Sequence, residues 1–145
     1  MNISFEVKLP IDDCLYLLGK SFTPDELYSR VDIRQYAEKL SEKAFFLLAE
    51  DNGEKQGFTA YYLNNDQSFV FITRIAVNEL YRHHGLGRKM IEELSNFYSN
   101  RFDAIELEVE KTNEVAKFFY RNLGFDIKED RGTKILMKRD LNVLN

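Results

Sequence analysis

The chain has 145 residues, 44% of them hydrophobic and 30% charged, a balance that excludes wholesale disorder and predicts one domain over residues 1–145. Twenty Lys and Arg against 24 Asp and Glu give a formal net charge of −4, which argues against nucleic acid as the main partner. The longest apolar run, Ala44–Ala49, is far shorter than the roughly 20 residues that cross a bilayer, and no leader pattern opens the sequence, so we expect a cytoplasmic protein with no membrane partner.

The first third of the chain predicts a strand followed by helices. Residues Ile3–Leu9 alternate apolar and polar side chains, which is typical of a half-buried strand. Asp12–Phe22 predicts a short helix, and its Cys14, the only cysteine, is interpreted as a structural thiol outside any metal-ligand spacing. Thr23–Glu26 resembles a helix start with its proline near the first position, and a further helix covers Val31–Lys43.

The middle of the chain is rich in predicted strands. Ala44–Glu50 is apolar, a turn signal follows at Asp51–Gly53, and Gln56–Leu63 is the expected hairpin partner. Ser68–Val77 is almost wholly apolar, which predicts a strand covered on both faces.

The last part alternates helices and strands. Helices are predicted at Gly85–Tyr98 and Glu114–Asn122, and strands at Ala104–Val109, Phe125–Lys128 and Lys134–Lys138. The order of elements predicts an α+β, or mixed α/β, domain with one central sheet covered by helices.

The segment Val77–Lys89 carries the first chemical signal. Glycines at 85 and 87 remove side chains where a ligand would approach the start of a helix. The backbone amides of residues 84–88 and the positive end of the helix dipole would form an anion site there, suited to a pyrophosphate. The alternative is a glycine-rich helix entry beside a solvated basic cluster of Arg82, Arg88 and Lys89.

The segment Asn113–Phe125 carries the second signal. Tyr120 is the only ionisable group on the apolar stripe of its helix, and a phenol with a pKa near 10 can protonate a basic leaving group such as a thiolate. Alternatively, Tyr120 is a core residue, Asn113 is only the N-cap of the helix, and Gly124 is only its C-cap.

Together the two segments resemble the GNAT (Gcn5-related N-acetyltransferase) superfamily. The acetyl-CoA motif of that family is matched by Val77, Tyr81, Arg82, Gly85 and Gly87, and its next motif by Asn113, Ala116, Tyr120, Gly124 and Phe125. The resemblance extends over the order of elements along essentially the whole chain. It implies a central, mostly antiparallel sheet of about seven strands flanked by about four helices.

The resemblance also implies an activity and a set of site residues. GNAT enzymes transfer an acetyl group from acetyl-CoA directly to an amine, without a metal. Tyr120 would be the proton donor to the CoA thiolate. The positions that would bind acetyl-CoA are Ile75, Ala76, Val77, Arg82, His83, His84, Gly85, Leu86, Gly87, Arg88, Lys89, Asn113, Ala116 and Phe119.

One departure from the family concerns the general base. Histone-type members have Glu at the position of Phe71, which cannot accept a proton. Glu108, which alternates away from the face of Leu107 and Val109, could relay that proton through water as a second catalytic residue. The alternative is that Glu108 is a solvated strand residue.

The acceptor is the least defined part of the resemblance. The segments that would form its cleft contain Phe22, Tyr28, Arg30, Tyr36, Tyr61, Tyr62 and Arg74. Aromatic groups with two arginines suit a polar small molecule, including one that carries a carboxylate or a phosphate. The expected acceptor is therefore the primary amine of a small polar metabolite, such as an amino sugar or an amino acid. A protein N-terminus or lysine, and a catalytically silent acyl-CoA-binding module, stay open as alternatives, as does a homodimer.

Overall fold

A computed structural model describes residues 1–21 and 33–141. The expected helix start at Thr23–Glu26 lies outside these residues, as do three expected cleft residues, Phe22, Tyr28 and Arg30. In chain order the elements are β1 (Asn2–Val7), α1 (Ile11–Ser21), α2 (Ile33–Lys43), β2 (Phe45–Asp51), β3 (Glu54–Asn64), β4 (Phe69–Val77), a 3₁₀ turn (Glu79–Tyr81), α3 (Leu86–Tyr98), β5 (Ala104–Glu110), α4 (Glu114–Asn122), β6 (Asp126–Asp130) and β7 (Lys134–Asp140).

The strands form a seven-stranded sheet in the order β1-β2-β3-β4-β5-β7-β6. The β4–β5 pair is parallel, whereas the pairs β1–β2, β2–β3, β5–β7 and β6–β7 are antiparallel. The predicted fold, a mostly antiparallel sheet with flanking helices, is therefore confirmed. The chain divides into two compact units, residues 1–61 with 74–90 and residues 62–73 with 91–145.

The first unit has a core of helix on sheet. Helices α1 and α2 pack together, and both strands β2 and β3 contribute buried side chains. Cys14 is fully buried, as a structural thiol should be, and burial raises its pKa with a smaller contribution from Asp13. At the outer edge, β1 has an irregular register between Ser4 and Val7, where Glu6 has a φ of 54°.

The second unit contains the parallel pair, which runs from Phe69 opposite Ala104 to Ile72 opposite Leu107. The expectation that this part of β4 is covered on both faces is wrong, because Val70 and Ile72 are buried while Phe69 and Phe71 are only half-buried. Strand β6 forms the other edge of the sheet, and all five of its residues are exposed.

In the part of the chain that the structure describes, no helix combines the length and the apolar character needed to cross a membrane.

Candidate active site

The turn between β4 and α3 contains two residues with left-handed backbone angles. After the 3₁₀ turn, Gly85 adopts a φ of 79° and His83 a φ of 67°, both in the left-handed region. A β-carbon on Gly85 would meet nothing within 4 Å, so the glycine is required by its backbone angle rather than by a crowded neighbour. The turn ends where α3 begins at Leu86.

Hydrogen bonds define which amides this turn can offer to an anion. The Lys89 amide donates to the Gly85 carbonyl at 3.0 Å, as the first bond of the helical pattern. The Arg82 amide donates to the Glu79 carbonyl at 3.4 Å. Neither bond uses an amide of residues 84–88, the donors predicted for the anion site, and the first turn of a helix has no earlier carbonyls for its amides to bond.

Hydrogen bonds connect the turn to the β2–β3 hairpin of the same unit. The Asn78 amide donates to the Gln56 carbonyl at 2.7 Å, and the Tyr81 hydroxyl donates to Glu54 Oε2 at 3.0 Å. That bond to a carboxylate raises the pKa of the Tyr81 phenol, because ionisation would remove the proton that Glu54 accepts. Arg82 Nε donates to the Val77 carbonyl at 3.1 Å, which orients this side chain along the end of β4.

Gly57 on β3 allows β4 and α3 to approach closely. A β-carbon there would lie 2.8 Å from the Ala76 carbonyl oxygen, 3.2 Å from Leu86 Cδ2 and 3.3 Å from Met90 Cε. No local sequence signal indicated this contact, because its partners lie 19 to 33 positions further along the chain. Gly57 therefore supports both the end of β4 and the first turns of α3.

In the second unit, α4 begins as its sequence predicts. The Asn113 side-chain oxygen accepts from the Ala116 amide at 3.0 Å, so the residue is a helix N-cap and its carboxamide nitrogen is the group that could bind a ligand. Ala116 is half-buried, and Phe119 is 36% exposed. The interpretation of Asn113 as a helix N-cap is thus confirmed.

Tyr120 lies on the buried side of α4. Its ring contacts Phe125 edge to face, with the ring centroids 5.6 Å apart, and it lies 5.1 Å from the ring of Phe119. Its carbonyl accepts from the amides of Leu123 and Phe125, both at 3.0 Å. These contacts fix the ring in a mostly apolar setting.

Two glutamates of β5 hold cations from β6 and the turn after it. Arg131 Nη1 donates to Glu108 Oε2 at 3.2 Å, and the Glu108 side chain is 29% exposed. Lys128 Nζ donates to Glu106 Oε2 at 2.8 Å, and the Glu106 side chain is only 5% exposed. The alternation of apolar and acidic residues along β5 predicts that Glu106 faces solvent. The sequence therefore did not predict this buried carboxylate.

The expected site residues belong to both units. The positions from Ile75 to Lys89 lie in the first unit, and Glu108, Asn113, Ala116, Phe119 and Tyr120 lie in the second. Among the described cleft candidates, Tyr36, Tyr62 and Arg74 are half-buried. Tyr61 is fully buried, and its hydroxyl accepts from the Glu6 amide at 3.1 Å, so it is a core residue rather than part of a cleft.

Within residues 1–21 and 33–141, no group of three or more His, Cys, Asp and Glu side chains is arranged to hold a metal ion.

The fold is similar to those of several solved N-acetyltransferases. A PaiA N-acetyltransferase from Thermoplasma acidophilum, solved with coenzyme A, is 21% identical with a TM-score of 0.74, over 97% of this chain and 99% of that one. The ribosomal-protein-S18-alanine N-acetyltransferase from Escherichia coli is 20% identical with a TM-score of 0.75, over 99% and 96%. An aminoglycoside 6′-N-acetyltransferase complexed with coenzyme A is 18% identical with a TM-score of 0.76, over 100% and 99%.

The sequence is similar to a curated protein over part of its length and matches a family model over most of it. A curated relative, an uncharacterized protein of Mycobacterium leprae, is 44% identical over 52 residues, which is 36% of this chain and 14% of the relative. The family model described as Acetyltransferase (GNAT) family matches residues 11–125, which include both motifs in full. Because that match spans most of the sequence, the chain belongs to the acetyltransferase (GNAT) family.

Proposed function

We propose that this protein is an N-acetyltransferase that moves the acetyl group of acetyl-CoA directly to the primary amine of a small polar metabolite. The observation that carries the proposal is the turn before α3. It combines the left-handed Gly85 with a helix start whose first intrahelical bond comes only at the Lys89 amide. The exposed side chains of Arg82 and Arg88 add positive charge there in an acidic protein.

Backbone donors suit a pyrophosphate for a physical reason. The amides of residues 84–88 would lie at the positive end of the α3 dipole, which favours a negative group. The backbone of Ile75, Ala76 and Val77 would bind the pantetheine arm and the acetyl carbonyl, as the family implies. In the second unit, the carboxamide nitrogen of Asn113 would bond to the arm, and Ala116 and Phe119 would pack beside it.

The proposed acid is Tyr120. When the amine displaces the thiolate from the acetyl carbon, the C–S bond breaks and the sulfur needs a proton, which a phenol can supply. The apolar ring contacts with Phe119 and Phe125 hold this side chain in one orientation, so that little reorganisation accompanies the transfer.

The proposed route for the amine proton runs through Glu108. An ammonium must lose a proton before it attacks, and Phe71 cannot accept one. Glu108 is partly exposed and is held in place by Arg131, so a water molecule can reach the carboxylate. The guanidinium cannot take up the proton itself, and the carboxylate would return it to solvent.

The assay that tests the proposal measures CoA release with a thiol reagent, using acetyl-CoA and a panel of amines. The panel contains amino sugars, amino acids, polyamines, and peptides with a free N-terminus or a lysine. We expect turnover with a small polar amine and little with peptides. Preferential turnover of peptides would contradict the acceptor class, and the absence of turnover with every amine would favour a silent binding module.

Cofactor binding is tested apart from turnover. At acetyl-CoA concentrations about a hundredfold above Kd, the free energy of unfolding should rise by about 2.7 kcal/mol. Gly87→Glu should abolish this effect, because its carboxylate would occupy the anion site and repel the ligand. Gly19→Glu, on the exposed face of α1, is the matched control and should bind normally. Retained affinity in a folded Gly87→Glu variant would place the anion site elsewhere.

A further inference from the structure

The pair Glu106–Lys128 in the second unit has no role in the mechanism proposed above. A carboxylate that is 95% buried is costly unless its charge is compensated, and the Lys128 ammonium at 2.8 Å provides that compensation. The Lys128 side chain is 45% exposed, so the ammonium lies between the buried carboxylate and solvent. An ammonium has three N–H donors, and the bond to Glu106 uses one of them.

A β-bulge places Lys128 in this position. Ile127 pairs with Met137 and Glu129 pairs with Leu136, so Lys128 is the extra residue between two regular pairs. Strand β7 lies between β6 and β5, and the side chain of Lys128 reaches across it to Glu106. Bulges often redirect a side chain beside a functional site. The position of the ammonium is thus set by the backbone as well as by the carboxylate.

The ammonium is next to an open cavity of the same unit. Lys128 Nζ lies 5.9 Å from the centre of the Phe69 ring. Phe69 and Phe71 line a cavity of about 540 Å³ together with Tyr62, Leu63, Asn64, Asn65 and Asp66. The Cα atoms of Phe71 and Glu106 are register partners, so the cavity wall and the buried carboxylate share one face of the sheet.

Glu108 lies on that same face, two positions beyond Glu106 on β5, because side chains alternate along a strand. It holds the guanidinium of Arg131, which is 41% exposed. The face therefore presents an aromatic wall, a fixed ammonium, and the carboxylate to which we assign the amine proton.

We propose that Lys128 binds the anionic group, a carboxylate or a phosphate, of an acceptor amine that carries one, and that Glu106 is the positioning residue for Lys128. This inference rests on the proposed function and specifies its acceptor class. A fixed ammonium favours anionic oxygen over neutral acceptors, because a charge-assisted hydrogen bond is roughly twice as strong as a neutral one.

Matched acceptors that differ by one anionic group test the proposal. The pairs are lysine and cadaverine, tyrosine and tyramine, and glucosamine 6-phosphate and glucosamine, so that the first two pairs report on carboxylate and the third on phosphate. We expect kcat/KM for the anionic member to exceed that for its partner by about tenfold or more in at least one pair.

Substitutions of Lys128 and Glu106 test whether the preference for anionic acceptors depends on Lys128. Lys128→Met should lower kcat/KM for the anionic acceptor by about 10- to 100-fold and leave the neutral acceptor within about threefold. Because the single change leaves Glu106 buried without its partner, the double variant Glu106→Gln with Lys128→Met provides a folded form that should show the same loss of preference. Lys134→Met, at an exposed lysine of β7, is the control and should keep the preference.

Three results would overturn the inference. One is equal kcat/KM within every pair for the wild-type protein. Another is a Lys128→Met variant that loses activity equally on both members, as a purely structural pair would predict. The third is acetylation of neutral members only, which would leave the proposed function standing. The proposed function itself fails separately, if acetyl-CoA does not raise the melting temperature.

Discussion

Replacing Gly57 by alanine tests the close approach of β3, β4 and α3 with the addition of a single methyl group. The new β-carbon would lie 2.8 Å from the Ala76 carbonyl oxygen, a backbone atom that cannot rotate away, and within 3.3 Å of both Leu86 and Met90. The strand end or the helix must therefore move. Overpacking of this kind costs about 1–3 kcal/mol. In a chain of this length that corresponds to a melting temperature lower by roughly 2–12 °C.

The same shift should weaken cofactor binding, because Ala76 and Leu86 belong to the two segments that we expect to bind acetyl-CoA. Scanning calorimetry measures the stability, and titration calorimetry with acetyl-CoA measures the affinity. Gly19→Ala is the matched control: a β-carbon there meets nothing within 4 Å, and the position is inside α1. It should stabilise the protein by about 0.5–1 kcal/mol without altering affinity.

A Gly57→Ala protein that is as stable as the wild type and binds acetyl-CoA equally well would contradict this prediction. In that event the three elements would be able to separate without cost, and Gly57 would not support the turn that we propose to bind the anion.

Three further predictions concern single side chains. Tyr120→Phe should keep the affinity for acetyl-CoA and lower kcat by about 10²–10⁴-fold, since only the proton donor is lost; unchanged kcat would make Tyr120 structural. Glu108→Gln should lower kcat/KM by about 10²-fold and change the acidic limb of its pH profile, whereas the exposed control Glu110→Gln should not; a wild-type profile would mean that the amine loses its proton directly to solvent. Cys14 should resist a disulfide reagent at pH 8 in the native state and react in urea, because burial raises its pKa and blocks access; fast native labelling would contradict its core position.

The sequence predicted most of the fold because its local patterns agree with the tertiary structure. The helix Glu114–Asn122 was predicted with its observed bounds, and the capping role of Asn113 follows from the local chain alone. The family prediction was confirmed because two motifs of fixed spacing surround one strand. The 3₁₀ turn at Glu79–Tyr81 was not predicted, since three residues give no periodicity to detect.

The features that sequence reasoning missed depend on distant partners. Glu106 alternates with apolar residues as a solvent-facing glutamate would, yet it is buried, and its ion-pair partner Lys128 comes from a strand two positions away in the sheet. Phe71 was expected to be fully covered because its strand is apolar, but the neighbouring elements leave its face half-open. The composition of β5 does not predict the burial of Glu106, and the composition of β4 does not predict the partial exposure of Phe71.

The two outer strands of the sheet also bear on how the protein avoids aggregation. An exposed strand edge offers unpaired backbone groups to other chains, and regular edges are sites of intermolecular β-pairing. Both edges here are interrupted, β1 near Glu6 and β6 by the bulge at Lys128, and every residue of β6 except Ile127 is charged. A second chain would have to bury those charges and straighten the bulge before it could add a strand. The irregularity that positions Lys128 thus also protects the sheet from growing beyond its own seven strands.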